Sequence, residues 1–115
     1  MNDAPVSIQR DQVDSVIRTM VGLVAPQRRT DVASYHRMIG DLGFHSLAQA
    51  ELGFALEDLF ALDPITPEQA MRIERVRDIE ALIAHALDTG VAQWPTEEAL
   101  RDFAGQYGAE WSDEP

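Results

Sequence analysis

Val13, Val16, Ile17, Met20, Val21 and Val24 recur at steps of three and four residues. That spacing puts them on one face of an amphipathic α-helix and predicts a helix over residues 8–25. Ser7 is its expected N-cap, and Pro26 stops it. Arg10, Asp14 and Arg18 fall opposite the stripe and are expected on the wet face. A second periodic stretch predicts a helix over 46–61. There Leu47, Leu52, Ala55, Leu56, Leu59 and Phe60 can face inward, while Gln49, Glu51, Glu57 and Asp58 face water. After the turn Asp63-Pro64-Ile65, Thr66 can cap, Pro67 suits the first helical position and Gln69 can close a capping box, so a short helix is expected over 67–72. Val76, Ile79, Leu82, Ile83 and Ala86 predict a further helix over 75–88, which Gly90 can end.

Two stretches lie outside this pattern. Residues 26–45 form a long connection, and Met38, Ile39, Leu42 and Phe44 are expected to pin it to the core. Connections of this length in small domains are usually functional or contain a short helix. Beyond Gly90, Trp94-Pro95 breaks the chain and Thr96 can cap one more helix, with Leu100, Phe103 and Tyr107 on one side. Its aromatics are expected to pack on the bundle, the alternative being that they dock a partner. No stretch reads as a strand. The fold class is therefore all-α, a small bundle whose helices each bury one stripe.

Composition narrows the function classes. A chain of 115 residues supports one modest core. With no cysteine it has no disulfide, no thiolate metal site and no catalytic thiol of its own. No apolar run approaches a membrane span, and Met1-Asn2-Asp3-Ala4-Pro5 does not read as a signal peptide, so no membrane contact and a cytoplasmic location are expected. The net charge of −11 argues against nucleic acid, which needs a basic footprint. Between Arg37 and Arg72 there is no basic residue, while Asp41, Glu51, Glu57, Asp58, Asp63 and Glu68 fall in the same span. That span is either a solvated face or a surface that steers basic partners.

The acidic span contains the stretch Asp41-Leu42-Gly43-Phe44-His45-Ser46-Leu47. Ser46 stands where the long loop becomes the second helix. Backbone N–H groups there lack helical partners and the macrodipole is positive, which suits either a capping hydroxyl or an attached phosphate. Leu42-Gly43-Phe44-His45-Ser46-Leu47 resembles the attachment motif of acyl carrier and peptidyl carrier proteins, Leu-Gly-x-(Asp or His)-Ser-(Leu or Ile). Glu51-Leu52 and the run Ala55–Phe60 also resemble that family's second helix, and the likeness extends to about residue 88.

The resemblance implies a small four-helix bundle of acyl-carrier-protein type, with a long first loop, a short third helix and a C-terminal extension. Residues 1–90 would be the carrier domain and 91–115 the extension, partly helical. It implies 4′-phosphopantetheine, taken from coenzyme A, on Ser46. The chain would then be a discrete carrier and its partners would be separate enzymes: a phosphopantetheinyl transferase, an acyl- or aminoacyl-loading enzyme, and a downstream synthase or transferase. It implies no catalytic residue and a monomer. Leu47, Glu51, Glu57 and Asp58 map onto partner-recognition positions. His45 departs from the Asp usual in acyl carriers and matches peptidyl carriers, which together with the extension points to polyketide, nonribosomal peptide or related natural-product assembly. Gly53, in the middle of the second helix, is expected to permit close packing against the first helix; the alternative is room for a tethered apolar chain.

Rival chemistries fit less well. A nucleophile elbow needs glycine two residues before serine, and Gly43 is three before Ser46. His36, His45 and His85 lack metal-ligand spacing. The remaining alternative is an unmodified, carrier-like adaptor that binds a partner enzyme through the acidic face of the second helix.

Overall fold

The computed structural model describes residues 10–111, excepting the side chains of Arg10 and Asp11. The predicted cap Ser7 and the first two residues of the predicted first helix lie outside that range. Among the described residues there are five helices: α1 (Arg10–Val24), α2 (Ser46–Phe60), α3 (Pro67–Met71), α4 (Val76–Asp88) and α5 (Glu97–Gln106). No strand occurs among them, and the sole β-type pairing is an isolated antiparallel bridge between Arg37 and Arg75.

The apolar stripes meet in one core. Ile17, Met20 and Val21 of α1, Leu56 and Phe60 of α2, and Val76, Ile79 and Ile83 of α4 are all buried in it. α1 packs on α4 and on α2, and α5 packs on α2. The caps follow local chemistry. Thr66 Oγ1 accepts from Gln69 N–H at 3.1 Å while Gln69 Oε1 accepts from Thr66 N–H at 2.9 Å, the reciprocal box expected from the sequence. Thr96 Oγ1 accepts from Ala99 N–H at 3.0 Å at the head of α5. Asp78 reaches back to the Arg75 N–H at 2.8 Å at the head of α4.

The long connection is stitched to α4. Met38 N–H donates to the Glu74 carbonyl, Val76 N–H to that of His36, and Arg77 N–H to that of Ser34, at 2.9–3.0 Å. Met38, Leu42 and Phe44 are buried as expected, whereas Ile39 is 66% exposed. Ile39 falls in the turn between Met38 and Leu42, where successive side chains cannot all point inward.

Two further expectations are corrected. Arg18 is not a free wet-face residue: its Nη1 donates to Glu80 Oε2 and to Ser34 Oγ, both at 3.2 Å. Glu80 is only 2% exposed, and an arginine stem is long enough to run along α1 and put its charge beside that carboxylate. The close approach to α1 expected at Gly53 is absent. A Cβ there would meet nothing within 4 Å, whereas one at Gly22 would collide with the Arg29 carbonyl oxygen, so the packing glycine is Gly22 of α1.

Candidate functional site

The turn that delivers Ser46 is held from both ends. Arg37 N–H donates to Asp41 Oδ2 at 2.8 Å, and the Arg37 guanidinium donates to Asp41 Oδ1 at 3.2 Å. These bonds, the guanidinium's first and the backbone's second, lower the Asp41 carboxyl to about 2. Arg29 Nη1 donates to the Asp41 carbonyl at 3.2 Å, tying the loop's beginning to its end. Gly43 then takes φ +74°, the left-handed region that a side chain would strain. Leu42 and Phe44 are buried on either side of it. The intervening residues point outward, so the chain reaches α2 with its apolar anchors inside and His45 and Ser46 exposed.

His45 is the N-cap of α2. Its backbone is extended, at φ −128° and ψ 178°, and its Nδ1 accepts from Ala48 N–H at 3.4 Å. The capping role that a hydroxyl at this end could have taken therefore falls to His45. The Ser46 hydroxyl has no hydrogen bond among the described residues, and neither do the N–H groups of Ser46 and Leu47. An exposed, unpartnered hydroxyl thus stands beside free amides at the positive end of a 15-residue helix, which is a favourable place for a phosphate.

The four predicted recognition residues do not behave alike. Leu47 is not turned inward: it is 73% exposed beside Ser46. Glu51 is exposed and accepts from Tyr107 Oη of the C-terminal extension at 3.3 Å. Glu57 is half-buried, and its Oε2 accepts from Ile65 N–H at 2.8 Å, so it braces the connection from α2 to α3. Asp58 is exposed with no partner among the described residues. Phe54, which periodicity did not single out, is 69% exposed on α2. Its signal was available, because it lies off the buried series Ala48, Leu52, Leu56, Phe60.

Between α2, α3 and the long connection lies an open pocket of about 320 Å³. Met38, Leu52, Leu56, Ile65, Ile73 and Ile79 give it apolar walls, and Gly53 leaves its side open. Gln49 and Ala50 also line it, and they lie three and four residues after Ser46, about one helical turn away.

No family model, curated protein or solved structure matches the chain. No helix among the described residues is long and apolar enough to cross a membrane.

Proposed function

We propose that the chain is a carrier protein, a four-helix unit of acyl-carrier type extended by α5, that holds an acyl or aminoacyl group for biosynthetic enzymes. The observation that carries this reading is Ser46: an exposed, unbonded hydroxyl at the start of α2, within a sequence that resembles the carrier attachment motif. The residues present fit a 4′-phosphopantetheine. The unbonded N–H groups of Ser46 and Leu47 would be available as donors to a phosphate attached at Ser46, and because His45 supplies the cap, modification of Ser46 would cost the helix no hydrogen bond.

When bound, the group would supply a terminal thiol on which cargo is held as a thioester, the thiol that a chain without cysteine lacks. In attachment, Ser46 Oγ forms a bond to the coenzyme A phosphorus nearer the pantetheine. The pyrophosphate bond to that phosphorus breaks, adenosine 3′,5′-bisphosphate leaves, and the hydroxyl proton passes to a base on the transferase. Leu47 gives the transferase and later partners an apolar contact beside the site, and Asp58 a free carboxylate for a partner arginine. The pocket flanked by Gly53 favours an apolar cargo that withdraws from water. Natural-product assembly remains the setting that His45 and the extension favour.

Intact mass after incubation with coenzyme A, Mg²⁺ and a broad-specificity phosphopantetheinyl transferase tests the reading. The native chain should gain one phosphopantetheinyl group and Ser46→Ala none. A folded chain that gains nothing with several transferases would be an unmodified adaptor that binds through the face of α2.

A further inference from the structure

α2 is apolar on more than the side it gives to the core. Ala48, Leu52, Leu56 and Phe60 are buried, Ala55 and Leu59 are half-buried, and Phe54 remains largely exposed. A helix that is apolar around most of its circumference is normally enclosed by its neighbours. Here α5 closes against one flank only and leaves a groove of about 560 Å³ between the two helices. Its floor is Ala55, Leu59, Ala99 and Phe103, and Phe54 and Tyr107 stand in its walls. Tyr107 Oη donates to Glu51 at 3.3 Å, which fixes the far end of α5 against α2 and holds the wall in place.

The charge in the groove has one sign. Glu51 and Asp58 line it from α2 and Asp102 from α5, and no arginine, lysine or histidine lines it. None of these three carboxylates has an ion-pair partner among the described residues. Arg28 acts on Tyr107 electrostatically but does not line the groove. The carboxylates are not gathered into a group that could hold a metal ion. They are spread along a cleft with aromatic walls and an apolar floor, which is complementary to flat cations on a peptide rather than to a single ion.

We propose that the groove between α2 and α5 seats an arginine-bearing segment of a partner protein. A guanidinium can stack on Phe54 or Tyr107 while its N–H fork meets a carboxylate; an ammonium can do only the second well. Glu51 and Asp58 are seven residues apart, about 10 Å along the helix, so they match two arginines two helical turns apart on the segment. The inference rests on the carrier reading, in which partner enzymes come to Ser46. It adds a contact that belongs to α5, which lies beyond the stretch that resembles carrier proteins. Partners with this arginine pair would be favoured over partners that touch Leu47 alone.

The test uses the full chain, ¹⁵N-labelled, titrated at low salt with a synthetic helical peptide that has arginines at positions i and i+7 and leucines between them. Amide shifts should cluster in residues 51–59 and 99–107. Asp58→Asn and Asp102→Asn, exposed and isosteric, should each weaken binding about three- to fivefold, the upper part of the range for rim ion pairs. Asp88→Asn, an exposed acid outside the groove, should leave affinity within about twofold. The same peptide with lysine for arginine should bind more weakly. Shifts spread over all acidic surfaces, an equal loss in Asp88→Asn, or equal binding of the lysine peptide overturns the proposal. The mass assay separates the two readings. Modification of Ser46 without localised peptide binding removes the groove and leaves the carrier; localised binding without modification removes the carrier and leaves an arginine-reading adaptor.

Discussion

Gly22 and Gly53 both sit inside helices, and a methyl group added to each has opposite consequences. At Gly22 the new Cβ meets the carbonyl oxygen of Arg29, a residue whose N–H is bonded to the Gly22 carbonyl at 3.1 Å. Gly22→Ala must push the first turn of the loop off α1 and should cost about 1–3 kcal/mol, as overpacking does. At Gly53 the Cβ enters open space, so Gly53→Ala should gain about 1 kcal/mol of helix propensity. Urea denaturation of the two variants checks both signs. If Gly53→Ala destabilises, the space beside it is not open. Gly53 drew attention in the sequence because it interrupts a predicted helix. Gly22 did not, because its partner is a backbone carbonyl seven residues on, in a loop whose path periodicity does not report. His45 was similarly hidden as a cap, since histidine is not among the usual N-cap residues.

Most of the helices were legible for a physical reason: each buries a stripe with the helical period, and Thr66, Gln69 and Thr96 mark their starts by chemistry that acts over three residues. What joins the elements was not legible. Arg18, Ser34 and Glu80 come from α1, the long connection and α4, at sequence separations of 16, 46 and 62, and no local pattern links them. Ser34 Oγ donates to Glu80 Oε2 at 2.8 Å, and Arg18 bonds to both. A partial signal did exist, since Glu80 flanks the apolar stripe of Ile79 and Ile83. This clasp holds the loop that leads to Ser46. Glu80 is the buried member, and losing it removes the bonds from both Arg18 and Ser34, so Glu80→Ala should cost about 1–3 kcal/mol, and Ser34→Ala less because Arg18 still meets Glu80. Amide hydrogen exchange should show the larger loss of protection at Met38, Val76 and Arg77, whose N–H groups stitch the loop to α4. If exchange speeds up evenly over all helices, the clasp supports the whole molecule and not the loop in particular.

Across the whole molecule, the balance of charges sets how stability follows pH. Burial raises the Glu80 carboxyl above its ordinary 4.5, against the bonds from Ser34 and Arg18. The folded state therefore takes up that proton at a higher pH than the unfolded state. Its contribution is complete below about pH 4.5 and is lost as pH rises through the folded value. Asp41 has the opposite sign: Arg37 holds it at about 2, so its contribution is present above about pH 4 and is lost as pH falls toward 2. Asp31, lowered by its bond to Arg29, acts in the same direction as Asp41. A net charge of −11 at neutral pH adds self-repulsion that acidification relieves. Above about pH 4.5 the Glu80 and net-charge terms both make stability rise as pH falls, while Asp41 and Asp31 contribute a constant amount; below about pH 4 the direction reverses, because Asp41 and Asp31 lose their pairing. Chemical denaturation from pH 3 to pH 8 should thus give a maximum on the acid side of neutral. Glu80→Gln should flatten the limb above about pH 4.5 and leave the acid limb in place. A native chain that loses stability steadily from pH 7 downward would mean that Glu80 is ionised in the fold throughout, and that the clasp is an ion pair stronger than its desolvation.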